Sequence, residues 1–285
     1  MQATARIRKS ALAIAVGALF AGSALSQTPP PAAAPAAAPT PPPPDNTVTA
    51  NIGLFSEYIF RGIAQTAGKP AVQGGFDWSH VSGFYAGTWA SNISWLEDFG
   101  AYNRSSLEWD FYGGYKQNFP GSEDWSYDLG VYGYVYPGRK NPGVFDADTW
   151  EIYGALGWKW ASLKFSYALS DYFGARPNGQ KTDGTWYLDL SGTYPIPDTP
   201  WAVIGHFGHL DVRHDGSDSD LSTAGKVSYN DWKIGASYTV PEGVVKGLEL
   251  GAYYTGNDAK QRFYTDLTGY NTAKDRGIFY VKKTF

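Results

Sequence analysis

Leu107-Glu108-Trp109-Asp110-Phe111-Tyr112-Gly113-Gly114-Tyr115-Lys116 decides the fold class. Leu107, Trp109, Phe111, Gly113 and Tyr115 interleave one for one with Glu108, Asp110, Tyr112, Gly114 and Lys116. A period of two sends alternate side chains to opposite faces of a strand, whereas a helix would scatter both sets around its axis. Two further runs read the same way. Trp125, Tyr127, Leu129, Val131 and Val135 alternate with Ser126, Asp128, Gly130, Tyr132 and Tyr134. Trp150, Ile152, Leu156 and Trp158 are set against Glu151, Tyr153, Ala155 and Lys159. Each run is about ten residues long, the length a tilted strand needs to cross a bilayer.

Extending the pattern in both directions gives about twelve strands, near 47–60, 69–79, 83–92, 104–118, 124–136, 148–160, 162–172, 184–195, 201–213, 227–239, 247–258 and 275–285. Their connections alternate long and short, beginning with the longer gap at 61–68. An up-and-down transmembrane barrel has this rhythm, with short periplasmic turns and longer outside loops, and the pattern places both chain ends in the periplasm. A soluble sandwich has Greek-key connections and no reason for such alternation. The expected fold is therefore all-β, a transmembrane antiparallel up-and-down β-barrel over 47–285.

Two segments precede it. Arg6, Arg8 and Lys9 lead into the apolar or small residues Ala11 to Phe20, too short to span a roughly 30 Å hydrocarbon core as a helix. Residues 1–26 read as a secretory signal cleaved after Ser26. Residues 27–46 form a Pro/Ala-rich periplasmic linker, whose stretch from Thr28 to Pro44 spans about 50 Å at most, at about 3.1 Å per residue in polyproline II. Loss of the leader takes the formal charge from −4 to −7, because three bases leave with it. An acidic chain without a basic patch speaks against nucleic acid as a partner. With no cysteine, disulfides and thiolate metal sites are excluded.

Aromatic residues fall where a membrane girdle would need them. Phe119, Trp125, Trp158, Trp160, Tyr194, Trp201 and Tyr238 flank the short turns, and Trp89, Trp109, Trp150, Trp186 and Trp232 lie nearer the long loops. The last strand runs from Gly277 to Phe285. Counting back in twos from Phe285 gives Lys283, Val281, Phe279 and Gly277, so Phe285 shares the apolar face. That resembles the terminal signal read by the barrel-assembly machinery, except that Lys283 stands where an apolar residue is usual. Near the interface a lysine is tolerated by snorkelling.

Tyr58-Ile59-Phe60-Arg61-Gly62-Ile63-Ala64-Gln65-Thr66, Pro70 to Trp78 and Gly83 to Asn92 resemble the TorF-type putative porins. Ala64 departs from the hydroxyl residue expected in their RGxSQT pattern. The resemblance implies a Gram-negative outer-membrane location and a pore, and names no solute.

With the apolar faces toward lipid, the expected lumen holds Glu57, Arg61, Asp77, Glu108, Asp110, Lys116, Asp128, Glu151, Lys159, Lys164, Asp189, Lys233 and Glu249. Acids outnumber bases, which suits a water-filled passage for small hydrophilic solutes or ions with a weak cation preference. A lumen plugged by paired charges is the alternative, a closed barrel acting through its outside loops. Around Arg61, an ion pair with Glu57 across the mouth and a simple tight turn at Gly62 both fit.

No catalytic residue, cofactor or metal is expected. His206 and His209 lie on one strand at odd spacing, hence on opposite faces, without a recognisable serine motif. The loop His214-Asp215-Gly216-Ser217-Asp218-Ser219-Asp220 reads as solvated, since it lacks the spacing and closing Glu of a calcium loop. The expected partners are outer-membrane lipid, the assembly machinery through the C-terminal strand, and small solutes.

Overall fold

The structure is a computed structural model describing residues 44–176, 179–214 and 227–285. The leader, nearly all of the linker and the acidic residues 215–220 lie outside the described residues.

Twelve long strands form one closed antiparallel barrel. They are β1 (Asn46–Phe55), β2 (Ala71–His80), β3 (Phe84–Asn92), β4 (Leu107–Asn118), β5 (Trp125–Val135) and β6 (Thr149–Trp158). The chain continues through β7 (Ala161–Ala168), β8 (Trp186–Pro195), β9 (Trp201–Asp211), β10 (Tyr229–Thr239), β11 (Leu248–Asn257) and β12 (Arg276–Thr284). Each strand pairs with its sequence neighbours, and β1 pairs with β12 from Asn51–Thr284 to Phe55–Tyr280 to close the ring. Closure leaves no unpaired strand edge, which is what a sheet needs where water cannot satisfy its backbone.

The alternation read in the sequence sets the two faces of the wall. Leu107, Trp109 and Phe111 are exposed on the outside, while Glu108 and Asp110 between them are buried inside. Val48, Ile52, Leu54, Phe76, Ile234 and Phe279 continue the apolar outer face on other strands. Burying a large apolar side chain is worth about 1.5–3 kcal/mol, so a wall with this many exposed is unfavourable in water and suits hydrocarbon. Among the described residues no helix is long and apolar enough to cross a membrane.

One end of the barrel carries the short turns 81–83, 119–124, 159–160, 196–200 and 240–247. The other carries 56–70, 93–106, 136–148, 169–185, 212–228 and 258–275. Most strand ends fall within three residues of expectation, and three differences bear on the lumen. β1 stops at Phe55 instead of running to residue 60, because the chain turns inward after Ser56 and builds a separate hairpin. β7 stops at Ala168, where Leu169 and Ser170 lead into a short helical turn at Tyr172–Gly174. Lys159 sits in the two-residue turn after β6, exposed and 3.3 Å from Asp124, so it is not on the lumen wall.

Candidate functional site

The site is the lumen at the long-loop end, and its central element is the first long loop. Ile59–Phe60 and Ile63–Ala64 pair as a miniature hairpin. Its two turn residues, Arg61 and Gly62, have φ of 46° and 75°. Positive φ at both positions is the primed turn favoured between two short strands, and Gly62 supplies the second position without steric cost. The hairpin points into the barrel. A Cβ on Gly62 would lie 2.5 Å from Cβ of Asp231 on β10.

Five hydrogen bonds fix the tip to distant parts of the wall. The Arg61 guanidinium donates to both oxygens of Glu151 on β6, at 2.9 and 2.8 Å. The Tyr229 hydroxyl donates to the Arg61 carbonyl at 2.8 Å, and Asn257 Nδ2 to the Gly62 carbonyl at 2.8 Å. Arg61 also donates to the Tyr172 hydroxyl at 3.0 Å and lies 4.4 Å from the ring centre of Tyr187. The two sequence readings of RGIAQT thus combine: the turn forms, and an ion pair crosses the mouth. The partner is Glu151 instead of Glu57. Glu57 accepts from Arg276 at 2.8 Å, from Tyr270 at 2.8 Å and from the Gly68 amide at 2.7 Å.

Packing around the hairpin fills the mouth. Gln65 at its base accepts the amide of Ser94, which starts helix α1 (Trp95–Asp98) of the second long loop. Leu96 of α1 is 1% exposed and packs with Tyr58, Ile93, Tyr102, Tyr134 and Tyr136. A second apolar cluster, with Tyr172, Tyr187, Leu210 and Tyr229, borders the other side. Ala64, where the resemblance expects a hydroxyl, is fully buried and its amide donates to the Thr272 carbonyl at 2.9 Å.

Tyrosines hold most of the lumen acids. Glu108 accepts from Tyr58 at 2.6 Å and Tyr136 at 2.8 Å. Asp110 accepts from Tyr132 at 2.9 Å through Oδ2, while its buried Oδ1 has no hydrogen-bond partner among the described residues. Asp128 accepts from Tyr85 at 2.6 Å and Asp77 from Tyr112 at 2.5 Å. Glu249 accepts from Tyr280 at 2.7 Å and sits 3.2 Å from Lys282. Lys116 lies opposite Asp128 and Lys164 opposite Asp189 in the ladder. Lys164 rests 3.9 Å from the ring centre of Tyr153, and Lys233 5.1 Å from that of Tyr253.

His206 points inward, with Nε2 2.8 Å from Asp231 Oδ1 and Nδ1 2.9 Å from Ser191 Oγ. His209 is on the other face, against Trp186 and Asn230. The Ser191 hydroxyl beside His206 also donates to Asp189 at 2.5 Å. Among the described residues no group of three or more His, Asp or Glu could hold a metal ion.

Below the hairpin a cavity of about 740 Å³ extends to the short turns, lined on one side of the barrel by Gln73, Ile204, Lys233, Ser237, Glu249 and Lys282. The opposite side is occupied by tyrosine rings such as Tyr112 and Tyr132, stacked at 5.2 Å.

Sequence reading overlooked Asp231, Arg276 and Lys282. The signal was present: Asp231 shares a face with Lys233, and both Arg276 and Lys282 are out of step with Phe285. The tyrosine partners were visible only as residues of the inward face.

A family model matches residues 37–285, nearly all of the chain. The chain belongs to the family described as "Bacterial protein of unknown function (Gcw_chp)". No curated protein matches it. Among solved structures, the KdgM porin is 8% identical with a TM-score of 0.48, covering 83% of this chain and 98% of that one. The NanC porin is 11% identical with a TM-score of 0.47, covering 84% and 98%. OprD of Pseudomonas aeruginosa is 15% identical with a TM-score of 0.38, covering 85% and 66%.

Proposed function

We propose that this Gcw_chp member is an outer-membrane barrel of porin type, with periplasmic termini, that passes small hydrophilic solutes or ions and catalyses no reaction. The observation that carries the reading is the cavity of about 740 Å³ running inside the barrel from the hairpin to the short turns. Its walls carry Lys233, Lys282 and Glu249 in the middle of a fold whose outside is apolar. A water-filled, charged interior behind a hydrocarbon-facing wall is the arrangement of a diffusion channel. The resemblance to TorF-type putative porins, over the stretch that builds the inserted hairpin, supports the same reading. Outer-membrane lipid is the partner of the outer face, and the strand ending in Phe285 is the segment for the assembly machinery.

One observation favours a second reading, a closed barrel. Leu96, Glu108, Asp110 and Asp231 are all 1–2% exposed at the long-loop end, so water is excluded there in the resting arrangement. Swelling of proteoliposomes in sugars of graded size separates the two. Swelling in small sugars that falls with solute size supports a porin; folded protein that never permits swelling supports the closed barrel.

A further inference from the structure

The pocket around Arg61 has the composition of a receptor for a guanidinium group. Glu151 presents both oxygens to it in the planar, two-bond geometry that a guanidinium matches and an ammonium does not. The ring face of Tyr187 lies 4.4 Å away, and the Tyr172 hydroxyl accepts a third N–H at 3.0 Å. None of these groups belongs to the hairpin: Glu151 is on β6, Tyr187 on β8 and Tyr172 in the loop between β7 and β8. The occupant is held differently. It rides on a two-residue turn whose own ladder consists of two residue pairs. The adjoining wall holds Asp110, one of whose buried oxygens has no hydrogen-bond partner among the described residues. Directly below lies the solute-sized cavity, whose upper wall includes Glu57, Tyr58 and Ile59 of the same loop.

We propose that Glu151, Tyr172 and Tyr187 form a guanidinium-binding site in the lumen, filled at rest by the chain's own Arg61, and that a solute bearing a guanidinium group competes for it and releases the hairpin. The binding step stands on geometry alone. Only its consequence, an opened mouth, rests on reading the lumen as a passage. The tip would leave by breaking the Glu151 pair, the bond to Tyr172 and its bonds from Tyr229 and Asn257, while the incoming guanidinium pairs with Glu151 in place of Arg61. No buried carboxylate is then left unpaired, which removes the main cost of withdrawing Arg61.

The test uses the full barrel refolded in detergent, with folding read by heat-modifiable gel mobility and N-ethylguanidinium as the probe. Parent, Arg61→Ala and Arg61→Ala/Glu151→Gln are compared in probe and in potassium chloride of equal ionic strength. The expected result is a Tm rise of about 2–4 °C for Arg61→Ala with the probe, and none for the double variant. If Arg61→Ala does not fold alone, restored refolding yield with N-ethylguanidinium and not with potassium supports the site. No shift and no restored folding overturns it, as does an equal shift in the double variant. These outcomes are independent of conduction: an impermeable parent would end the porin reading and leave the shift standing, and a conducting parent without the shift would end only the site.

Discussion

Arg61, at the tip of the first long loop, and Glu151, on β6, meet at 2.8 Å with side chains 7% and 3% exposed. The barrel wall separates their strands by several neighbours in either direction, so this pair fastens a loop across the lumen. Removing one partner leaves a buried charge, and such losses run to about 3–5 kcal/mol. Arg61→Ala is expected to fall in this range by chemical denaturation, and Arg61→Ala/Glu151→Gln to recover part of it. Equal stability for both variants would mean that the pair is solvated and does not secure the hairpin.

Gly62 allows the same hairpin to be displaced without touching a charge. With φ of 75° and Asp231 Cβ 2.5 Å from where a Cβ would stand, Gly62→Val meets both backbone strain and a clash. A non-glycine residue in the left-handed region costs roughly 1–2 kcal/mol, and the clash adds to that. The tip is expected to leave the lumen, seen as protease cleavage within 59–64 in the variant and not in the parent.

Much of this molecule is legible in the sequence because a strand's period is local. The alternation around Leu107 to Lys116 gives the fold class and the inward placement of Glu108 and Asp110, and extended along the chain it gives about twelve strands. The same count, carried through β10 and β12, places Asp231, Arg276 and Lys282 inside. The hairpin is not legible in that way: Tyr58 and Phe60 continue an apolar pattern, and nothing local tells a strand leaving the barrel from one folding back. Which charges pair is less local still. Glu57 with Arg276 and Arg61 with Glu151 depend on which walls face each other once the ring has closed, a property of all twelve strands together.

The buried acids of β4 should respond with opposite signs. Asp110 is 1% exposed with an unpartnered Oδ1 among the described residues, so Asp110→Asn, its uncharged isostere, takes away the cost of burying a carboxylic group there and is expected to stabilise the barrel by about 1–3 kcal/mol. Glu108 uses both oxygens to accept from Tyr58 and Tyr136. Glu108→Gln turns an NH2 group toward one of those hydroxyls and is expected to cost about 1–3 kcal/mol. Denaturation midpoints of the two variants check this, and a shift of the same sign for both would contradict the assignment.

Phe285 closes the ring through its backbone: its amide donates to the Ala50 carbonyl at 2.8 Å, and its carbonyl accepts from the Ala50 amide at 3.2 Å. Its ring is 70% exposed toward the outside. Phe285→Ala keeps the bonds and loses the ring. Unchanged refolding in detergent with reduced assembly in cells is the expected outcome if the ring is read by the assembly machinery. A matching drop in both would assign it to the fold alone.

The last long loop carries an acid-sensitive cap. Burial works to raise the Asp266 carboxyl, but the Thr268 hydroxyl and the amides of Tyr270, Thr268 and Gly269 outweigh it and hold the group below the ordinary range. A depressed carboxyl contributes in full above its unfolded value of about 3.9 and loses that contribution as pH falls through the lower folded value. Amide protection at Thr268 and Tyr270 is therefore expected to hold steady down to about pH 4 and to fall below it, with no such step in Asp266→Ala. Loss of protection on raising the pH would have the wrong sign.

The central claim is that a conducting lumen lies behind a mouth narrowed by the Arg61 hairpin. Single-channel recording in planar bilayers under a salt gradient tests it most directly, with parent and Arg61→Ala/Glu151→Gln side by side. The account predicts small, cation-leaning steps for the parent and steps several-fold larger for the double variant. A double variant that is folded and electrically silent would contradict it, and would leave a closed barrel that acts through its loops.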